Sequence, residues 1–449
     1  MLKKKINLTG LLIAFTVFGV LLFLPVFESL KAQQAFALLV MVAILWVTES
    51  IPLPLTSLLI PVIAIFLQLL PPTDAFAEFA NPILFLFMGG FVLAGALSHH
   101  SLDKMLAQKL IKLAGGNFYR SAIFLMLATA LTAFFVSNTS STAMMIPLGL
   151  GILVLVNKDS VSPESKFLML GIAYSANIGG IVTIISSPPN AIGAEILNIS
   201  FLTWIKYSFP LFIITFPMMI TVLTLYFKPD RKISIGEIIF EKKTGTPLKT
   251  LLAIFLLTVV LWMMDGILSP LLHIDNSFNS LVAVFAVFLL FITQVLTWKQ
   301  ILKSINWEIL LLFGGGLTLG VVIEESGLGM LLITKVSSLI TVVPMYVFLL
   351  TVVVFSIILT EFMSNTASAA MILPLLFSLA TQMQINPVIL LLPATIAASF
   401  GFMMPAGTPP NAMVFSSGYV PQKDMIMAGL TVNIVASIIL TTYFYFIFF

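Results

Sequence analysis

The sequence predicts an all-α integral membrane protein. Sixty per cent of the 449 residues are hydrophobic and 9% are charged, whereas soluble domains are roughly a quarter charged. Uncharged stretches of about twenty residues recur from end to end, which is the length of a membrane-spanning helix and roughly twice that of a barrel strand. The net charge of +3 is too small and too scattered to indicate nucleic acid binding. The lipid bilayer is therefore the expected surrounding of this chain.

Eleven transmembrane helices are predicted from the apolar stretches. Two further stretches, Ser121–Asn157 and Val336–Gln382, each carry a polar tripeptide midway. They are predicted to be re-entrant hairpins, which enter the membrane and return to the same side. The eleven spans are expected at about 6–27, 33–50, 54–70, 82–98, 167–195, 208–227, 250–267, 280–297, 308–323, 388–417 and 426–449.

The basic residues predict the orientation. If the N-terminus is inside, all but three of the 21 Lys and Arg residues fall on the cytoplasmic side, the exceptions being Lys31, Lys206 and Lys335. Helical membrane proteins concentrate Lys and Arg in their cytoplasmic loops. We therefore expect a multi-pass protein of the cytoplasmic (inner) membrane with its C-terminus outside.

Two halves of the chain repeat the same motifs in the same order. Each half is predicted to hold five spans and one hairpin, and an odd number of crossings inverts the second copy, as in many secondary transporters. The expected organisation is a first transmembrane helix at 1–32, repeat 1 at 33–227 with its hairpin at about 121–157, a basic cytoplasmic linker at 228–249, and repeat 2 at 250–449 with its hairpin at about 336–382. The paired motifs are Phe87-Met88-Gly89-Gly90 with Phe313-Gly314-Gly315-Gly316, Ser137-Asn138-Thr139 with Ser364-Asn365-Thr366, and Ser187-Pro188-Pro189-Asn190 with Thr408-Pro409-Pro410-Asn411.

The tripeptides and the Pro-Pro breaks predict an anion site. Unwound backbone within a bilayer must be buried in protein or line a cavity. A single tripeptide is explained as well by hydroxyls and an amide that cap a bent helix, whereas two equivalent copies favour function. Ser187 and Thr408 suit N-cap positions, and Pro188 and Pro409 suit the first position of a half-helix. With the hairpin arms, four helix N-termini converge in regions without Lys or Arg, each equivalent to roughly +0.5 charge.

Oxygen atoms at the same points are suited to sodium, because hydroxyl, amide and carbonyl groups at broken helices coordinate this ion. In the first repeat the corresponding hydroxyl is lost at Ala133, and Ser186 replaces a glycine. The predicted cage in repeat 2 consists of Thr360, Met363, Asn365 and Gly407, and its counterpart in repeat 1 consists of Ala133, Val136, Asn138 and Ser186.

Two carboxylates lie within apolar stretches, where buried charge is costly. Glu49 is close to the end of a span, and Glu361 directly precedes the second tripeptide. Each has two interpretations, a part in ion coupling or a structural brace. The sequence leaves both open.

The paired tripeptides, the paired Pro-Pro-Asn breaks and the segment Thr48-Glu49-Ser50-Ile51-Pro52-Leu53-Pro54 resemble the divalent anion:sodium symporter family of di- and tricarboxylate transporters. The resemblance covers essentially the whole chain. It implies a homodimer in which each protomer has a scaffold domain and a transport domain that moves as an elevator. It also implies sodium between each hairpin tip and the neighbouring break. The residues implied to contact substrate carboxylates are Ser137, Asn138, Thr139, Ser187, Pro188, Ser364, Asn365, Thr366, Thr408 and Pro409.

The departures at Ala133 and Ser186 favour exchange of dicarboxylates over sodium symport. The expected substrates are C4 or C5 dicarboxylates such as succinate, malate, fumarate and 2-oxoglutarate, with sulfate as another divalent anion. An ion channel would need a continuous polar pore, and the polar residues are instead confined to two clusters. A membrane enzyme would need a nucleophile with its base, or metal ligands, at depth, and His99, His100 and His273 all fall outside the spans. Transport without a resident cofactor, other than sodium, is the expectation.

Overall fold

A computed structural model describes residues 7–449 except 157–159, 236–245, 275–276, 332–342 and 406. Helices dominate these described residues, and the pairing of Asn117 with Ser234 is the single β-type bridge among them. The predicted all-helical fold is confirmed. The helices, numbered along the chain, are α1 (Leu8–Phe23), α2 (Leu30–Thr48), α3 (Leu53–Phe66), α4 (Pro72–Ala77), α5 (Pro82–His99), α6 (Leu102–Lys112), α7 (Phe118–Ala133), α8 (Asn138–Leu155), α9 (Pro163–Gly179), α10 (Pro188–Leu197), α11 (Phe201–Phe227), α12 (Thr246–Met263), α13 (Asp265–Leu271), α14 (Phe278–Ile292), α15 (Trp298–Ser304), α16 (Trp307–Glu325), α17 (Met345–Phe362), α18 (Asn365–Gln382), α19 (Val388–Ala397), α20 (Pro409–Ser416) and α21 (Gln422–Phe448).

Every predicted span coincides with a helix or a broken helix. Within the described residues, 7 helices are long and apolar enough to cross a membrane, and apolar helices of 10–17 residues accompany them. The apolar pair α12 and α13 is bent by 74° at a short break, and it would count as one more span if the two helices cross together. Parts of the predicted segments lie outside the described residues, namely 1–6, 157–159, 236–245, 275–276, 332–342 and 406.

The first helix is shorter than the predicted span of 6–27, because it ends at Phe23. Pro25 follows, and a residue before proline is driven toward extended backbone, which is the conformation that Leu24 adopts. The side chain of Gln33 then accepts hydrogen bonds from the amides of Val26 and Phe27, each at 3.0 Å. The turn after α1 is thus held by α2 rather than by continued helix.

The helices divide into two packed groups. In one group α1 packs on α2, α2 on α3, α3 on α16, α12 on α14, and α14 on α5. In the other group the first helix pair, α7 and α8, packs on α9, and the second pair, α17 and α18, packs on α19. The half-helices cross between repeats: α10 contacts α18, and α20 contacts α8 and α9. The two predicted hairpins therefore share one core with both predicted breaks.

Repeat-related residues make matching contacts in the first group. The rings of Phe87 and Phe313 meet at a centroid distance of 5.0 Å. A Cβ at Gly89 would lie 2.8 Å from the carbonyl oxygen of Ala283, and one at Gly315 would lie 2.6 Å from that of Ser57. Since real side chains do not approach backbone so closely, these glycines are required for the contact of α5 with α14 and of α16 with α3.

The orientation of the chain stays a prediction, and exposed residues offer a test. The sequence has no Cys, so single-cysteine variants need no other change. We expect Ser234→Cys to react with a membrane-impermeant maleimide only from the cytoplasmic side, and His273→Cys only from outside, because the basic loops should stay inside. Both side chains are exposed. Labelling of both from one side would contradict the eleven-span arrangement.

Candidate functional site

The two tripeptides form equivalent helix starts. Ser137 is the N-cap of α8, and its hydroxyl accepts a hydrogen bond from the amide of Ser140 at 3.3 Å. Ser364 is the N-cap of α18 and accepts from the amide of Ala367 at 3.2 Å. Asn138 and Asn365 are then the first helical residues. The predicted helix N-termini at the hairpin tips are present.

Each Pro-Pro-Asn motif starts a half-helix, and its asparagine forms hydrogen bonds with the unwound segment before it. Pro188 and Pro409 are the first residues of α10 and α20. The Nδ2 group of Asn190 donates to the carbonyl oxygens of Gly180 and Thr183, each at 2.8 Å. Asn411 repeats this arrangement with Gly401 at 3.0 Å and Met404 at 3.1 Å. Buried backbone carbonyls need such partners, so these asparagines stabilise both breaks.

The caps of the two half-helices differ from each other. The hydroxyl of Thr408 accepts a hydrogen bond from the amide of Asn411 at 3.3 Å, as an N-cap should. Ser187 occupies the predicted N-cap position of α10, yet its side chain makes no capping bond. The reason is local: the amide of Asn190 donates instead to the backbone carbonyl of Ser187 at 3.1 Å.

Three oxygen atoms meet beside the second tripeptide. The Thr360 hydroxyl lies 2.7 Å from Oδ1 of Asn365 and 2.7 Å from the carbonyl oxygen of Ala398. A hydroxyl donates to one acceptor at a time, so the cluster has acceptor capacity left for a ligand. The expected pairing of Thr360 with Asn365 is present, and the carbonyl of Ala398 is a member that the sequence did not predict. Gly407, also expected in this cage, lies against Glu361, since a Cβ there would be 3.1 Å from Oε2.

The equivalent cluster of the first repeat is built differently. Oδ1 of Asn138 is buried without a hydrogen-bond partner, and it contacts Gly180 so closely that a Cβ at that glycine would overlap it. Ala133 is fully buried and offers only a methyl group. The hydroxyl of Ser186 lies 2.6 Å from the carbonyl oxygens of both Gly180 and Thr183. Compared with the second cluster, the first cluster therefore lacks one hydroxyl ligand, at Ala133. Two of its carbonyl oxygens, those of Gly180 and Thr183, already contact the Ser186 hydroxyl.

Glu361 braces the second unwound segment. The residue is 4% exposed, and its carboxylate accepts hydrogen bonds from three consecutive amides, those of Phe402 at 2.7 Å, Met403 at 2.8 Å and Met404 at 2.9 Å. Nδ2 of Asn433 in α21 donates to it as well, at 2.7 Å. Of the two interpretations open from the sequence, the contacts favour the brace, because each carboxylate oxygen is already bonded.

Asn177 and Tyr174, which the sequence did not single out, connect the two repeats. Both lie on α9, one turn apart, and both are fully buried. The Tyr174 hydroxyl donates to the carbonyl oxygen of Phe402 at 2.6 Å. The Asn177 side chain bonds to Asn138 in one repeat and to Thr408 in the other. The sequence does hold a signal for this role, because Tyr174 and Asn177 are polar residues one helical turn apart within an apolar span.

The combined arrangement is a polar core made from helix starts, amides and hydroxyls of both repeats. In the part of the chain that the structure describes, no group of three or more His, Cys, Asp or Glu could hold a metal ion. A small cation here would depend on the hydroxyl, amide and carbonyl oxygens already described. Anions would be bound by amide, hydroxyl and backbone N–H donors at the helix N-termini.

Comparison with known proteins decides the family. A family model described as "Citrate transporter" matches residues 43–389 and 348–449. The chain belongs to the citrate transporter family. A Staphylococcus aureus protein named sodium-dependent dicarboxylate transporter SdcS is 34% identical over 491 residues, covering 99% of this chain and 92% of the relative. An uncharacterized transporter of Haemophilus influenzae is 41% identical over 433 residues, covering 95% and 94%.

A solved structure has the same fold. It is the Alcanivorax borkumensis YdaH transporter, which matches with a TM-score of 0.59 at 16% identity and covers 83% of this chain and 86% of that one. The family model and the dicarboxylate transporter relatives confirm the resemblance to the di- and tricarboxylate transporters. This citrate and dicarboxylate family member is a membrane transporter and not an enzyme.

Proposed function

We propose that the chain exchanges C4 or C5 dicarboxylates, such as succinate, malate, fumarate and 2-oxoglutarate, across the cytoplasmic membrane. The main support for exchange over symport is the difference in composition between the two oxygen clusters. Thr360 provides a hydroxyl to the second cluster, whereas Ala133 provides a methyl group to the first. At the first cluster a cation would also compete with the Ser186 hydroxyl for two carbonyls. Sodium is therefore bound weakly there.

Charge balance explains why weak sodium binding leads to exchange. Four helix N-termini, each equivalent to roughly +0.5 charge, total about +2 and match a dicarboxylate dianion. An empty site would carry this positive potential through a low-dielectric core, where an unbalanced charge is costly. The loaded carrier is close to neutral and moves more readily. Anion uptake then requires that another anion leaves.

The substrate contacts follow from the helix starts. Ser137, Asn138 and Thr139 bind one carboxylate, and Ser364, Asn365 and Thr366 bind the other, assisted by the Ser187-Pro188 and Thr408-Pro409 breaks. The group of helices with both hairpins acts as the transport domain and moves as an elevator along the scaffold group formed by α1–α5, α12, α14 and α16. The functional unit is a homodimer, with the N-terminus of each protomer in the cytoplasm and the C-terminus outside.

Sodium symport is the second candidate. It is favoured by the second cluster, where the side chains of Thr360 and Asn365 and the carbonyl of Ala398 come together. It is also favoured by relatives named sodium-dependent dicarboxylate transporters. In that case sodium would be the coupling ion rather than a structural one.

Proteoliposome uptake separates the two candidates. We expect labelled succinate to enter vesicles loaded with unlabelled succinate at least about tenfold faster than empty vesicles, a difference of roughly 1.4 kcal/mol in the limiting step. Replacing external sodium with choline should change the rate little. Fast uptake into empty vesicles driven by external sodium would overturn exchange and establish symport.

A matched variant tests the physical reason. Ala133→Ser combined with Ser186→Gly makes the first cluster resemble the second. We expect this double variant to gain stimulation by sodium, because a hydroxyl ligand is added and the Ser186 hydroxyl no longer competes for the carbonyls of Gly180 and Thr183. Sodium-independent exchange in this variant would mean that the cluster does not determine coupling.

A further inference from the structure

Asn177 is in direct contact with the polar core of both repeats. Its Oδ1 accepts a hydrogen bond from Nδ2 of Asn138 at 3.4 Å. Its own Nδ2 donates to the carbonyl oxygen of Gly401 at 3.4 Å and to the hydroxyl oxygen of Thr408 at 3.3 Å. The side chain is fully buried. One amide therefore joins the first tripeptide to the second break.

The chemistry of these partners fixes the orientation of two amides in series. A backbone carbonyl only accepts hydrogen bonds, so Gly401 requires Nδ2 of Asn177 on its side. Oδ1 of Asn177 must then face Asn138, which has to present its own Nδ2 in return. The remaining atom, Oδ1 of Asn138, is directed at Gly180 and stays a buried acceptor without a partner.

Within the described residues, the counterparts of Asn177 and Tyr174 in the second repeat make no equivalent hydrogen bond to the first break. The residue of the second repeat that corresponds to Asn177 is Ala398, which has no side-chain polar group. The residue that corresponds to Tyr174 is Thr395, and its hydroxyl donates to the carbonyl of Leu391 within its own helix at 2.6 Å. Polar side chains of α9 thus bond to the second break, whereas Thr395 bonds within α19 and Ala398, which follows α19, has only a methyl group.

We propose that Asn177 is a positioning residue that transmits the state of the second break to the first tripeptide. Any ligand that moves Gly401 or Thr408 changes the hydrogen bonds of Asn177, and Asn138 then loses its fixed orientation. The two halves of the site are coupled through this amide, so each half binds best when the other is in place. The inference rests on the proposed function, because the ligand in question is the dicarboxylate.

Binding of succinate to the purified full-length protein tests the proposal by calorimetry. Asn177→Ala should weaken binding about tenfold, while the protein without ligand still unfolds in one cooperative transition at a moderately lower temperature, because Nδ2 of Asn138 loses its buried acceptor. Asn177→Asp should weaken it at least as much, because a carboxylate oxygen would face the Gly401 carbonyl; a residue that only fills space would tolerate this isosteric change. Ser175→Ala, on the same helix and also buried, is the control and should bind as wild type does.

A double-mutant cycle gives the decisive outcome. If Asn177 acts through Asn138, then Asn138→Ala with Asn177→Ala should bind succinate no more weakly than Asn138→Ala alone. Losses that multiply would overturn the proposal. If the wild-type protein binds no dicarboxylate, the proposed function is wrong. The link between the two amides is then tested by measuring the unfolding temperatures of the same two single variants and the double variant. Non-additive changes there support the link between the two amides, and additive changes refute it.

Discussion

Glu361→Gln is expected to destabilise the protein by about 3–5 kcal/mol and to abolish transport, because four hydrogen bonds lose their charged acceptor and one buried donor loses its acceptor altogether. The carboxylate accepts from the amides of Phe402, Met403 and Met404 and from Asn433. Glutamine has a single acceptor oxygen, and its NH₂ group would face an amide N–H. Two donors would then oppose each other in a site that is closed to water.

The measurement is the unfolding temperature of the purified protein together with succinate exchange in proteoliposomes. Glu324→Gln is the matched control, since this glutamate is exposed at the end of α16; it should change neither quantity. Asn433→Ala should have a smaller effect of about 1.5–3 kcal/mol, the contribution of one hydrogen bond to a charged group, because the three backbone donors remain. A Glu361→Gln protein with normal unfolding temperature and normal exchange would show that the brace is unnecessary.

The hairpins and breaks were predictable because their signals are local. Serine before a helix start and proline at its first position determine the ends of α8, α10, α18 and α20 whatever surrounds them. The repetition of these signals in both halves distinguished them from chance. Only details of hydrogen bonding differed, as at Ser187, where a backbone carbonyl replaced the hydroxyl as acceptor.

The contacts between the unwound segments were not predictable, because they depend on the path of the chain in space. Ala398 joins the second cluster through its backbone carbonyl, and an alanine carries no sign of such a role in the sequence. The carbonyl of Gly407 stays a predicted ligand of this cluster, and the absence of a side chain at Gly407 makes room for Glu361. The first repeat has Phe134 at the position of Glu361, and Ser186 can occupy the position of Gly407. The two sequence differences between the repeats are therefore explained together by the contact of Glu361 with the second unwound segment.

Asn138→Ala and Asn365→Ala are each expected to abolish dicarboxylate transport while the protein still folds. Asn365 contributes Oδ1 to the second cluster, and Asn138 has its Nδ2 bonded to Asn177 at the first. Loss of an amide that binds a charged carboxylate should remove about 1.5–3 kcal/mol of binding. That corresponds to roughly a ten- to hundredfold loss of affinity, before any effect on movement of the loaded carrier.

Folding should survive both changes, since the nearby groups keep other partners. Without Asn365, the Thr360 hydroxyl still donates to the carbonyl of Ala398, and Ser364 still caps α18. Asn306→Ala is the control, because it removes an asparagine side chain from another helix start, where its oxygen accepts from the Ile309 amide at 3.3 Å, in an exposed position away from both clusters. It should cost about 1 kcal/mol of stability and leave exchange intact. Initial rates of succinate exchange at equal protein density give the comparison, and wild-type rates in both site variants would mean that the tripeptides only cap helices.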